Sequence, residues 1–115
     1  MVTGIAAVLR KPGVLKLEKL EFKPGPNEVL VKVASAGVCG SDIRRVFLDG
    51  MKGGLVPGHE FAGTVIESPT QPSLVGKKFA VFPILGCNKC VHCKNGEPNL
   101  CANYGYLGSR NDGGF

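Results

Sequence analysis

No tryptophan occurs among the 115 residues, and aromatic side chains make up only 7% of them. The interior must therefore be built mostly from aliphatic side chains. No apolar run approaches the roughly 18 residues that cross a bilayer as a helix, so a helical membrane anchor is excluded within this sequence. No basic stretch precedes a long apolar segment at residues 1–7, so a leader pattern is missing and a cytoplasmic location is expected. No two glycines are separated by a single residue. That removes the Gly-x-Gly-x-x-Gly turn of a dinucleotide fold, and no P-loop is present either. Internal repeats are absent. The formal charge of +5 comes from 14 basic and 9 acidic residues. The basic residues are scattered without interleaved aromatics, which reads as a solvated surface and excludes nucleic acid as the expected partner.

What is abundant is punctuation. The 17 glycines and 8 prolines are spread along the chain, which favours short strands joined by tight turns in one mainly β domain. Strands are expected over 5–10 and 15–22, around a Lys11-Pro12-Gly13 turn in which Pro fixes φ and Gly takes φ > 0. The stretch 28–36 alternates best, with Val29, Val31 and Val33 on one face and Leu30, Lys32 and Ala34 on the other. A short helix is expected over 41–48. Ser41 or Asp42 would cap it, Ile43, Val46 and Phe47 would form its apolar stripe, and Asp49-Gly50 would end it. Further strands are expected over 61–67 and 79–82, with a polar turn over 68–73 and a loop-like tail over 102–115.

Five cysteines is an odd number, which argues against a fully paired disulfide framework. Four of them, Cys87, Cys90, Cys93 and Cys101, fall in a C-x2-C-x2-C-x7-C window over 86–101. Bends that tight can place four sulfurs around one tetrahedral zinc, and a closed four-thiolate shell staples a loop without leaving an open position. An iron–sulfur cluster is the alternative reading. Bacterial ferredoxins share the first two spacings but continue with x3-C-P, whereas here the gap is seven residues and no proline follows Cys101. Disulfides or free thiols are a third reading. His92 inside the lobe is read as an exposed bystander.

A sparser constellation precedes the lobe. Cys39, His59 and the adjacent Glu60 offer three zinc-ligand types, and three protein ligands plus a water define a catalytic site. The bland alternative is a packed cysteine and an ordinary surface or core histidine. Asp42 could accept from the second nitrogen of a metal-bound imidazole. Ser41 could carry an alcohol proton, or serve only as a helix cap.

In order and spacing, Gly37-Val38-Cys39-Gly40-Ser41-Asp42, Pro57-Gly58-His59-Glu60-Phe61-Ala62-Gly63, Val75-Gly76-Lys77-Lys78-Phe79-Ala80-Val81 and the four-cysteine lobe resemble the zinc-dependent medium-chain dehydrogenases. Within that family the chain resembles the polyol branch of sorbitol (L-iditol), threonine and galactitol-1-phosphate 5-dehydrogenases. The stretches 39–47 and 107–115 are most similar to the galactitol-1-phosphate enzymes.

The resemblance implies a GroES-like, partly open β-barrel with a short helix and a zinc-stapled lobe, truncated relative to the family. It implies two zinc ions in the full-length protein. Cys39, His59 and Glu60 would hold the catalytic one, and Cys87, Cys90, Cys93 and Cys101 the structural one. Ser41 would pass the alcohol proton and Asp42 would support His59. The expected chemistry is hydride transfer from a secondary alcohol of a sugar alcohol or its phosphate to NAD or NADP. Residues 1–115 would then be an N-terminal catalytic domain, incomplete and without the Rossmann cofactor domain. The full-length protein is expected to form a homodimer or homotetramer.

Two positions depart from dehydrogenases of simple alcohols. Gly40 stands where those enzymes carry a basic residue, and Arg44 where they often carry a relay histidine. Arg44, Arg45, Lys52 and Arg110 are candidates for a substrate phosphate, with plain surface charge as the alternative. The competing function class is a non-catalytic zinc-stapled β module, which would not need Cys39, His59 and Glu60.

Overall fold

The computed structural model describes residues 1–48 and 51–115; the expected helix stop at Asp49-Gly50 lies outside the described residues. The chain opens with a hairpin of β1 (Val2–Lys11) and β2 (Val14–Phe22), paired antiparallel from Val2↔Phe22 to Lys11↔Val14. Pro12-Gly13 forms its turn, and Gly13 has φ +76°, as a type II turn requires. A second, three-stranded sheet has the order β3-β4-β5, formed by β3 (Leu30–Gly37), β4 (Glu60–Glu67) and β5 (Lys78–Ala80). Helix α1 (Gly40–Phe47) connects β3 towards β4. The cysteine lobe follows β5. It is framed by the two-residue strands β6 (Ile84–Leu85) and β7 (Gly105–Tyr106), and carries the one-turn helix α2 (Val91–Lys94).

The first five strands lie close to where alternation and turn chemistry put them, whereas β6 and β7 were not expected and β7 lies in the tail read as loop-like; the packing also differs. The stretch with the cleanest alternation, β3, starts at Leu30 because Gly25 and Glu28 close a turn before it, with Glu28 N donating to Gly25 O at 3.1 Å. A register shift between Val33 and Ser35 breaks the alternation. Val29 and Val33 remain 43% and 38% exposed.

The helix differs from expectation in two ways. Its cap is Cys39, and Asp42 sits at the third helical position, reaching back to the Cys39 N–H at 2.9 Å. A carboxylate at that position satisfies an amide that the helix itself cannot pair. Of the expected apolar stripe, only Val46 is buried; Ile43 and Phe47 face out.

The dense interior is small. Ala6, Val8 and Val56 form its centre, with Leu20, Phe22 and Phe115 against them. Between the hairpin and the sheet lies an open apolar cavity of about 1100 Å³, walled by side chains such as Phe22, Val31, Phe61, Val81 and Phe115. The two sheets curve around it without hydrogen bonding into a closed barrel. This is the partly open β-barrel that the sequence motifs imply.

The tail is more ordered than its composition suggests. Gly113 N, Gly114 N and Phe115 N donate to the carbonyls of Val56, Gly58 and Pro57 at 2.8, 3.0 and 3.1 Å. Asp112 Oδ1 accepts from Val56 N at 3.0 Å. The tail therefore runs along residues 56–58, immediately before His59. This approach depends on Gly58, which has φ +96° and where a Cβ would lie 2.4 Å from the Phe115 ring.

Gly58→Ala is expected to destabilise the domain by about 1–3 kcal/mol, read as a fall in the urea midpoint. Gly54 also has positive φ, +91°, but open space around it. Gly54→Ala should therefore cost less; equal losses would mean that contact with the tail is not the cause.

Candidate metal centres

The sheet register assembles the first centre. Gly37, the last residue of β3, pairs with Glu60, the first of β4. Cys39 lies two residues beyond one strand end and His59 one residue before the other. Twenty residues of separation are thus folded back into contact. One ligand atom from each of Cys39, His59 and Glu60 falls within 4.8 Å of the others. His59 is buried, Cys39 half-buried and Glu60 exposed. Glu60 leans over the glycine, where a Cβ on Gly37 would meet its Oε2 at 2.9 Å.

Asp42 organises this group from behind. It is 2% exposed. Its Oδ2 accepts from Cys39 N, and its Oδ1 lies 3.2 Å from His59 Nδ1. Among the described residues Oδ1 accepts no hydrogen bond of good geometry, the His59 contact included. A buried carboxylate oxygen without a partner is costly. The Nδ1–H form of His59 would supply that partner on a small rotation of the ring, and would leave Nε2 with a lone pair for a metal. A metal on Nε2 favours that same tautomer, so the carboxylate, the imidazole and a cation fit together chemically.

Arg45 is the unexpected member. Its Nη1 lies 3.3 Å from His59 Nδ1, 4.0 Å from Asp42 Oδ1 and 3.4 Å from Ser41 Oγ. Its guanidinium covers the Tyr106 ring at 5.2 Å, and the Tyr106 and His59 rings are 5.6 Å apart. Sequence reading had no signal for Tyr106, because only the β6–β7 pairing brings the tail under the helix. Ser41 is half-buried on the first turn of α1, with Arg45 as its hydrogen-bond donor. It is not the helix cap.

The second centre gathers Cys87, Cys90, Cys93 and Cys101, again with all ligand atoms within 4.8 Å. None of the four forms a disulfide. Cys87 Sγ and Cys93 Sγ are 4.0 Å apart, far beyond a sulfur–sulfur bond of about 2.05 Å. Sulfurs about 2.3 Å from one zinc would stand about 3.8 Å apart, so the observed spacing suits a tetrahedral ion. Backbone amides already point at the sulfurs. Lys89 N and Cys90 N donate to Cys87 Sγ at 3.4 and 3.3 Å, and Cys93 N donates to Cys90 Sγ at 3.4 Å. Asn88, between the first two cysteines, takes φ +59° to turn the chain around the site.

Those amides lower the Cys87 thiol to about 6, aided by the neighbouring Cys101 and Cys90. Removal from solvent, with Cys90, Cys101 and Cys87 adding to it, pushes Cys93 up to about 11. Clustered thiols cannot all ionise without a cation among them, and a divalent metal supplies that charge. His92 on α2 is half-buried rather than exposed, and it is not one of the four-sulfur group.

Residues 25–115 match the family described as the alcohol dehydrogenase GroES-like domain. The starvation-sensing protein RspB of Escherichia coli (strain K12) is 38% identical over 113 residues, covering 94% of this chain and 33% of the relative. Galactitol 1-phosphate 5-dehydrogenase of the same strain is 41% identical over 92 residues, covering 77% of this chain and 27% of the relative. The crystal structure of a short chain alcohol dehydrogenase (rspB) from E. coli CFT073, complexed with cofactor NADH, superposes with a TM-score of 0.89 at 35% identity, covering 96% of this chain and 34% of that one. The chain thus spans about a third of the length of these proteins.

Zinc analysis is expected to find two ions per chain. Cys101→Ala, at a buried sulfur, and Cys39→Ser should each leave one. Asp42→Asn should weaken the ion held with His59 by about 10- to 100-fold, measured by competition with a chromogenic chelator, while the four-sulfur ion is retained. In metal-free protein at pH 7.5, iodoacetamide should modify Cys87 before Cys93. The Cys87 rate should fall only as pH drops through about 6, because a lowered thiol pKa keeps the reactive thiolate present above that value.

Proposed function

The chain belongs to the alcohol dehydrogenase GroES-like domain family, and from that membership we propose that it is the metal-holding, alcohol-binding part of an NAD(P)-dependent polyol dehydrogenase. The observation that carries this reading is the convergence of Cys39, His59 and Glu60 with a buried carboxylate behind the histidine. A zinc-stapled β module would need only the four cysteines.

Cys39, His59 and Glu60 would hold the catalytic zinc, and the four cysteines the structural zinc. When bound, the catalytic zinc supplies a Lewis acid that polarises the substrate alcohol. The residues of the chain do the rest. Asp42 keeps His59 in the Nδ1–H form and aims its Nε2. Ser41, whose Oγ accepts from Arg45, takes the alcohol proton. Exposed Glu60 completes the ligand set from the open side of the site and can exchange with solvent or substrate. The four-cysteine lobe holds β6 and β7, and through them Tyr106, against the His59 side of the domain.

The hydride acceptor, NAD or NADP, would be held mainly by a region outside this sequence, which lacks the glycine turn for a dinucleotide. The RspB structure bound to NADH supports that cofactor class. Residues 1–115 would act as one GroES-like catalytic unit, inactive alone, within a homodimer or homotetramer. The favoured substrate is galactitol 1-phosphate, supported by 41% identity to an enzyme of that name; sorbitol, L-iditol and L-threonine are the alternatives.

In the protein that joins this chain to its nicotinamide-binding region, kcat/KM for galactitol 1-phosphate should exceed those for sorbitol and threonine by at least about tenfold. Cys39→Ser should abolish turnover while the four-sulfur zinc stays bound. Full activity in that variant would refute the proposed site, and equal kcat/KM values would refute the phosphate preference.

A further inference from the structure

A second recess opens beside the first centre. It is a cleft of about 280 Å³ lined by Arg45, Ile84, Asn99, Tyr104, Tyr106 and Ser109. Four separate parts of the chain meet there: α1, β6, the end of the cysteine lobe and the tail. Five of the six lining side chains carry hydrogen-bond donors, and none is a carboxylate. Two guanidinium groups are fixed on its tyrosine walls. Arg45 covers Tyr106 at 5.2 Å. Arg110 covers Tyr104 at 4.1 Å and donates to Tyr104 O at 2.9 Å.

The charges of these arginines are at most weakly offset by carboxylates nearby. Arg110 has no ion pair among the described residues. Arg45 has Asp42 at 4.0 Å, but that carboxylate is already engaged by Cys39 N and faces His59. The cleft is therefore a concave, donor-rich, cationic surface.

We propose that this cleft binds a phosphate monoester dianion, with Arg45 as its principal cation and Asn99, Ser109 and the tyrosine hydroxyls as further donors. Its volume lies just under the roughly 300–1,000 Å³ of sites that enclose a whole small molecule, so it suits one charged end of a ligand. Five donor-bearing lining side chains are more than the two oxygens of a carboxylate need, and suit the three terminal oxygens of phosphate. Arg45 is in reach of both His59 and the cleft. The choice of phosphate rests on the sugar-alcohol phosphate reading above; the cationic character of the cleft does not.

The test is calorimetric titration of the zinc-loaded 115-residue chain with inorganic phosphate at constant ionic strength, with chloride as control. Saturable phosphate binding is expected. Asn99 is exposed, so Asn99→Asp places a carboxylate in the cleft without disturbing the core. It should weaken binding by about tenfold or more, and Arg45→Met should do likewise. Unchanged affinity in both variants, or phosphate binding no tighter than chloride, would overturn the proposal. Cys39→Ser should leave phosphate binding intact. Loss of binding in that variant would mean that phosphate sits on the metal, overturning the cleft while leaving the proposed function standing.

Galactitol 1-phosphate and galactitol separate the sources of the anion. Binding of the phosphate ester with the same variant sensitivity, and none of galactitol, supports the cleft as a substrate subsite. Binding of inorganic phosphate alone supports it as a site for the free ion.

Discussion

A single buried carboxylate ties the first centre together. Asp42 reaches back to the amide of Cys39 and forward to the imidazole of His59. Those two residues are twenty positions apart and belong to different elements. Burial strengthens the hydrogen bond from Cys39 N and makes the approach of Oδ1 to His59 electrostatically important. Asp42 thus does local and long-range work at once: it closes the first turn of α1, and it stands 3.2 Å behind the His59 imidazole. The guanidinium of Arg45, 4.0 Å from Asp42 Oδ1, links the centre to the neighbouring cleft.

The backbone that presents His59 is held from both sides. On one side, pairing of Gly37 with Glu60 fixes the strand ends. On the other, residues 112–115 run along residues 56–58 through backbone hydrogen bonds, with Phe115 packed over Gly58. Ala7 N also donates to Phe115 O at 2.9 Å, joining the first hairpin to the tail. His59 therefore occupies a position defined by three distant parts of the chain, which is how a site on a small, open scaffold stays rigid enough to hold a ligand set.

The four-cysteine lobe follows a different logic. Its geometry is local: short turns, amides pointed at sulfur and two residues of positive φ, Asn88 and Gly96, enclose the site within fifteen residues. It gains little from the hydrophobic interior, since only Cys101 among its sulfurs is buried. Its contribution reaches the first centre through β6, β7 and Tyr106. The most visible metal motif in the chain thus supports the less visible one.

Cysteine spacing, glycine and proline punctuation and strand alternation were enough to point to the longer strands and to the four-cysteine lobe, because each depends on chemistry within a few residues; Cys39, His59 and Glu60 stood out only through motifs that resemble those of a family, and the short strands β6 and β7 carried no such signal. Helix capping was misjudged: a cysteine caps α1, and the carboxylate three positions later satisfies its amide. The apolar stripe on α1 was misjudged too, because amphipathic spacing shows which side chains could pack together, not whether a partner surface lies against them. Tyr106, the role of Arg45 and the ordered tail were invisible in the sequence. They depend on which strand ends meet in space. Local sequence determined which residues can bind metal. Tertiary structure alone decided that Cys39, His59 and Glu60 share one site with Asp42 behind it, since the contacts that close it join residues tens of positions apart.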